Sequence, residues 1–291
     1  MVRVRIDLAY DGTPYAGFAR QPDQRTVQGT LEGALRRVCG PHAAVVTSAS
    51  GDPSTTCAGR TDRGVHALAQ VVHVDLDEDA SRVARVVAEP AGLARRLDRI
   101  VGDAITVWSA QVVDEDFDAR FAAIWRRYRY RLLPAPTDPR TRTLAWHVPG
   151  EVDLDAMRAA LPGVVGEHDF AAFCRRAEGR HTMRRILEAD VDPAGAGALG
   201  RGELHVVLRG TAFCHQQVRA IVGSLVEVGR HRRPVAWFGE VLAEGDRALA
   251  GPVAPAHGLT LEAVGYPDPW PDAPHLPHGP VHGQRAAPAP G

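Results

Sequence analysis

The sequence predicts an α+β fold with a mostly antiparallel sheet. Short segments that alternate apolar and polar residues recur along the chain, each ended by Gly, Pro or Asp. Amphipathic stretches of helical period separate them, but without the regular βαβ spacing of a doubly wound parallel sheet. The chain has 291 residues, 45% hydrophobic and 24% charged, the composition of an ordinary globular protein with ample core.

The elements follow in order. Residues 2–9 place Val2, Val4, Ile6 and Leu8 on one face and Arg3, Arg5 and Asp7 on the other, a half-buried strand. Gly12, Pro14 and Gly17 then punctuate a loop. Helical spacing of Val27, Leu31, Ala34, Leu35 and Val38 predicts a helix over 26–40, with Thr26 as N-cap and Gly40 as stop. Residues 48–56 read as a surface loop, 69–76 as a strand, 81–97 as one helix, and Ile105, Val107 and Trp108 as a further strand.

Within FDARFAAIWRRYRYRLL the period changes, setting Tyr128, Tyr130 and Leu132 on one strand face and Arg127, Arg129 and Arg131 on the other. A short helix over 153–161 and a hairpin of 184–192 with 203–209 follow. Val218, Ile221, Val222, Leu225 and Val226 line the inner face of a long helix; another begins at Pro234, and TLEAVGY closes the sheet. The changeover near 134–150 divides the chain into halves 1–140 and 141–267. Residues 268–291, rich in Pro, Gly and His, read as a flexible tail whose three histidines lack the fixed geometry of a metal site.

Composition excludes several chemistries. All 34 basic residues are arginine, so neither a Schiff-base lysine nor a Walker-type phosphate loop exists, and no glycine-rich dinucleotide fingerprint is present. Cys39, Cys57, Cys174 and Cys214 lie far apart with no CxxC spacing, which predicts reduced cysteines and a cytoplasmic protein. No apolar run approaches the roughly 18 residues of a membrane helix, and the alternating start reads as a strand and not a signal peptide. The net charge is −1, yet arginines cluster at 126–131, 175–185 and 230–233, away from acidic runs at 75–79 and 114–118. Such segregation can build a basic cleft, although charge counts alone describe solvated faces equally well.

One segment concentrates chemistry. AGRTDRGVH, residues 58–66, sets Asp62 between Arg60 and Arg63, with Gly64 supplying a tight turn. Neighbouring guanidiniums favour the charged form of a carboxylate, which can then act as nucleophile, base or ligand. The strand formers after it leave no helix for Asp62 to cap. Spacing alone does not separate a catalytic carboxylate from a structural Arg–Asp pair.

AGRTDRGVHA resembles the catalytic loop of the tRNA pseudouridine synthases of the TruA family. Four further blocks are similar in order: YDGTPYAGFARQPDQRTVQGTLEGAL, FDARFAAIWRRYRYRLL, FCHQQVRAIVGSLVEVG and APAHGLTLEAVGYP, together spanning about residues 3–267. The resemblance implies a pseudouridine synthase fold, two similar halves around a basic cleft. It implies isomerisation of uridine to pseudouridine at positions 38, 39 and 40 of the tRNA anticodon stem-loop, without cofactor or metal, by a homodimer. It assigns Asp62 as nucleophile, Arg60 as the residue that helps displace the target base, Tyr128 as its stacking partner and Arg219 as the basic partner of the carboxylate.

His66 reads as a support for the loop. The chain departs from the family at Gln217, usually Met; at Phe18-Ala19, usually Trp-Gln; across 93–105, usually an Asn-containing stretch; and in the longer approach 48–56. Two rivals remain at the level of sequence: a non-catalytic tRNA-binding or RNA-folding protein on the same fold, and a carboxylate hydrolase. The second lacks a convincing partner acid near the motif.

Overall fold

The structure is a computed structural model that describes residues 1–40, 43–47, 52–134, 138–175, 179, 181–194 and 202–271. Among the described residues, ten strands form one sheet. Its main path runs β4 (Ile105–Val113), β1 (Val2–Tyr10), β3 (His66–Leu76), β10 (Leu259–Gly265), β5 (Trp125–Leu133), β9 (Leu204–Gly210), β8 (Met183–Pro193) and β7 (Gly166–Asp169). The short β2 (Thr55–Cys57) pairs with β3, and β6 (Trp146–His147) with β5. Pairing is antiparallel except at β10–β3 and β5–β6. β10, from the end of the chain, thus forms the seam: Leu261 lies opposite Ala67 on one side and Tyr128 on the other. That seam brings the loop before β3 beside the centre of β5.

Helices α1 (Val27–Cys39), α2 (Val83–Ala88) and α3 (Pro90–Val101) pack with the β4 side of the sheet. Helices α4 (Leu154–Ala160), α5 (Gln217–Gly229) and α6 (Val235–Glu244) pack with one another and with the β8 side. Thr26 caps α1 as its sequence predicts, its side chain accepting from the Gly29 N–H. The core is continuous across the seam, from Val4, Ile6, Leu31 and Val72 to Tyr130, Ile221, Leu225 and Phe238, all buried.

Four sequence expectations need correction. The 81–97 helix is two helices, because Pro90 has no N–H to donate and holds Glu89 out of the helical region (φ −143, ψ 76); Pro90 instead starts α3. β1 is buried on both faces. Arg5 is 1% exposed, donates to Asp7 at 2.9 Å, and lies over the rings of Phe117 and Tyr266. Alternation showed the polar face but not the segments 114–120 and 266–271 that cover it. The 268–291 segment begins packed: Trp270 meets Phe117 edge-on, and the Pro271 carbonyl accepts from Arg5. Residues 272–291 lie outside the described residues, as do 48–51 of the expected 48–56 loop, whose Thr55 and Thr56 are in strand β2. The hairpin of β8 and β9 matches its expectation, although its 195–201 connection is outside the described residues.

Candidate active site

Residues 58–65 form a loop between β2 and β3, held along its whole length. Ala58 N–H donates to Val71 O, and the Gln70 side chain donates to Gly59 O at 2.6 Å. Thr61 is fixed twice: its hydroxyl meets Tyr10 Oη at 2.8 Å, and its carbonyl accepts from Phe18 N–H. The loop closes in a turn, with Val65 N–H donating to Asp62 O and Gly64 at φ 77, a conformation that favours glycine. Gly12 lies against this turn so closely that a Cβ there would stand 2.1 Å from Val65 O. His66 braces the base of the loop: Gly12 N–H donates to its Nδ1, and its Nε2 reaches the carbonyls of Thr143 and His257. That is the supporting role its sequence context suggests.

The turn presents Asp62, but its ion-pair partners are not the neighbours in sequence. Arg63 donates to Gln24, and exposed Arg60 has no ion-pair partner among the described residues. Arg219, in the first turn of α5, donates from Nη1 to Asp62 Oδ2 at 2.8 Å and from Nε to Ala254 O. His215 approaches the other oxygen, its Nε2 3.3 Å from Oδ1. The Arg219 side chain is 14% exposed and that of His215 47%.

Tyr128 faces the same cleft from β5, buried, edge-on to Phe213 with centroids 5.1 Å apart. Burial first, and the Asp62 charge further down, push its phenol above the ordinary value, so it stays protonated. Asp62, Arg60, Tyr128 and Arg219 thus line one cleft of about 1280 Å³. Six arginines border it, Arg60, Arg63, Arg120, Arg175, Arg184 and Arg219, with Arg126 in its wall; Asp62 is the one carboxylate among the described lining residues. A cavity of that sign attracts a polyanion.

The basic clusters sort differently from their order in sequence. Arg127 and Arg129 pair with Glu262, and Arg131 with Glu203, on the sheet face opposite Tyr128. All three are engaged in ion pairs within the chain, and none of them lines the cleft. Arg126 has the parity of Tyr128 and points inward, 8% exposed. Its guanidinium donates to the carbonyls of Ala58, Ala123, Thr211 and Arg120, and burial lowers its pKa. Of the 175–185 cluster, Arg175 and Arg184 line the cleft, Arg185 is exposed on β8, and Arg176 and Arg180 lie outside the described residues. The 230–233 cluster follows α5 and does not line the cleft; Arg232 pairs with Glu227.

His215, Arg126 and Gln70 were not identified from sequence, although the parity of β5 carries the signal for Arg126. The expectation of reduced cysteines also needs correction. Cys174 and Cys214 form a disulfide, Cα atoms 5.7 Å apart, while Cys39 and Cys57 are free and buried. Forty residues separate the pair, so spacing could not show it. Beside it, Arg175 N–H donates to His215 O, tying the two cleft loops together.

The departures from the family pattern find structural places. Gln217 accepts from Cys214 N–H at 2.9 Å and orders the approach to α5. Phe18 is buried against Tyr10, and no residue of 93–105 lines the cleft.

A family model described as tRNA pseudouridine synthase matches residues 8–107 and 160–267. Among relatives, a tRNA pseudouridine synthase A of Frankia casuarinae is 49% identical over 273 residues, covering 92% of this chain and 90% of that protein. Proteins of the same name from Streptomyces griseus (45% identity; 91% and 88% covered) and Cutibacterium acnes (42%; 92% and 90%) align as fully. The chain belongs to the TruA family of tRNA pseudouridine synthases.

Proposed function

We propose that this protein isomerises uridine to pseudouridine in tRNA, at positions 38, 39 and 40 of the anticodon stem-loop, with Asp62 as the catalytic carboxylate. The observation that carries this reading is Asp62, the one carboxylate among the described lining residues, fixed by Arg219 and faced by Tyr128 in a cleft whose other charged lining residues are mostly arginines. In the net reaction the N1–C1′ bond breaks and a C5–C1′ bond forms. One proton leaves C5 and one is gained at N1, so no oxidant or reductant is required. Asp62 serves as nucleophile in this scheme.

A base must leave its stack to reach Asp62. Exposed Arg60, with no ion pair among the described residues, is suited to filling the vacated space. Tyr128 offers the extruded uracil a protonated aromatic neighbour, and Arg219 orients the carboxylate while offsetting its charge. Both halves contribute, 1–140 giving Asp62, Arg60 and Tyr128 and 141–267 giving Arg219. We read the active form as a homodimer, as the family resemblance implies. The test is release of tritium from tRNA labelled at uracil C5. Wild type releases label and leaves pseudouridine, whereas Asp62→Asn binds tRNA and releases none. Release by the variant would refute the role of Asp62, and retained binding without release by wild type would leave only an RNA-binding function.

A further inference from the structure

We propose that Phe121, with Arg120 behind it, is a stacking platform for an RNA base outside the reaction centre, resting on the reading of this cleft as a tRNA site. Phe121 is 78% exposed, the most exposed large hydrophobic side chain among the described residues, and it lines the same cleft as Asp62 and Tyr128. It contributes almost nothing to the core, yet the turn that carries it is built as firmly as the catalytic loop. The Asp118 carboxylate accepts from the N–H groups of Arg120 and Phe121 at 2.7 and 2.8 Å, and Ala122 N–H donates to Asp118 O.

Ala119, one residue before Arg120, is buried; its N–H donates to His73 Nδ1 and its carbonyl accepts from the Tyr266 hydroxyl. Arg126 donates to Arg120 O with the same guanidinium that grips Ala58 O at the head of the catalytic loop. The exposed ring is therefore held in register with Asp62 by one side chain.

The surroundings select the occupant. The Arg120 guanidinium lies 5.2 Å from the Phe121 ring centroid, and Arg60, Arg63 and Arg184 border the same cleft. An apolar protein partner would bring its own surface against these charges, whereas a nucleotide supplies a π-face for the ring and a phosphate for the arginines. Stacking of this kind tolerates any base, so the platform would hold a loop nucleotide next to the extruded one and add affinity without adding sequence choice.

The experiment measures binding of unmodified tRNA transcript by Phe121→Ala, Phe121→Leu and Phe121→Trp in the full chain, against ionic strength. The value of one base–aromatic stack converts to a loss of about 5- to 150-fold for Phe121→Ala. Phe121→Leu, apolar but not aromatic, loses nearly as much, and Phe121→Trp keeps wild-type affinity. The slope of log affinity against log salt stays at the wild-type value for all three, because no phosphate contact is removed, while Arg120→Ala lowers it by about one. Melting temperatures stay unchanged, since the side chain is exposed.

Wild-type affinity in Phe121→Ala overturns the proposal, as does full rescue by leucine. So does a change of oligomeric state that accounts for the loss, which would make Phe121 a subunit contact. If instead wild type itself neither binds nor modifies tRNA, the reading of the cleft fails and not the platform alone.

Discussion

Replacing Arg126 with Met tests whether a buried guanidinium without a counterion assembles the site. Arg126 makes five hydrogen bonds to four carbonyls and has no carboxylate partner among the described residues. Methionine fills similar space but donates nothing. The bonds to Ala58 O and Ala123 O are fully buried, and an unsatisfied buried acceptor costs about 1–3 kcal/mol. Two such groups give about 2–6 kcal/mol. Relief of the buried charge, the same desolvation that lowers the Arg126 pKa, offsets part of this and leaves about 2–4 kcal/mol. At about 2–4 °C per kcal/mol for a chain of this size, the Tm falls by about 5–15 °C. Arg126→Lys recovers only part, because an ammonium cannot span four acceptors. Thermal melts and tritium release are measured on the same preparations. Activity falls more than stability alone explains, since Ala58 heads the catalytic loop. Melting within about 2 °C of wild type, with unchanged activity, would show that Arg126 does not assemble the site.

Arg219→Ala costs more activity than His215→Ala. Arg219 is the shorter and less exposed partner of Asp62, and half-exposed pairs such as His215–Asp62 are worth little in water; steady-state kinetics of the two variants give the order. His73 provides a pH test. Burial lowers its pKa below the ordinary 6.5, and it accepts from Ala119 N–H as the neutral ring. The unfolded chain takes up this proton more readily. The His73 contribution is therefore complete above about pH 6.5 and lost as pH falls through the depressed folded value. Melting temperatures between pH 7.5 and 5 drop accordingly, and the drop is shallower in His73→Gln. Peptide mapping without reductant finds Cys174 joined to Cys214. In the folded protein Cys57, its thiol pushed up to about 11 by burial, resists alkylation at pH 8 that it undergoes after unfolding.

Local pattern carried much of this molecule. The period-two alternation of 125–133 separated Tyr128 and Tyr130 from Arg127, Arg129 and Arg131, and the strands keep that separation. Gly64 marked the turn that presents Asp62. Long-range partners were less legible, because a charge run does not say which residue the fold brings opposite. Arg219, reached by resemblance, lies 157 positions from Asp62, and His215 came only with the structure. Glu262 and Glu203, on strand β10 and beside β9, take three arginines of the 126–131 cluster into ion pairs within the chain. The two faces of β1 show the same limit, since alternation reveals polarity but not what later covers it.

The proposed conversion of uridine to pseudouridine in the anticodon stem-loop depends on Asp62, held by Arg219 in this cleft. Its most direct measurement is position-resolved mapping of pseudouridine in tRNA from cells lacking the protein, complemented with wild type or with Asp62→Asn at equal protein levels. Pseudouridine is expected at positions 38 to 40 with wild type, and unmodified uridine there with Asp62→Asn. Modification restored by Asp62→Asn, or absent from those positions with wild type, would contradict it.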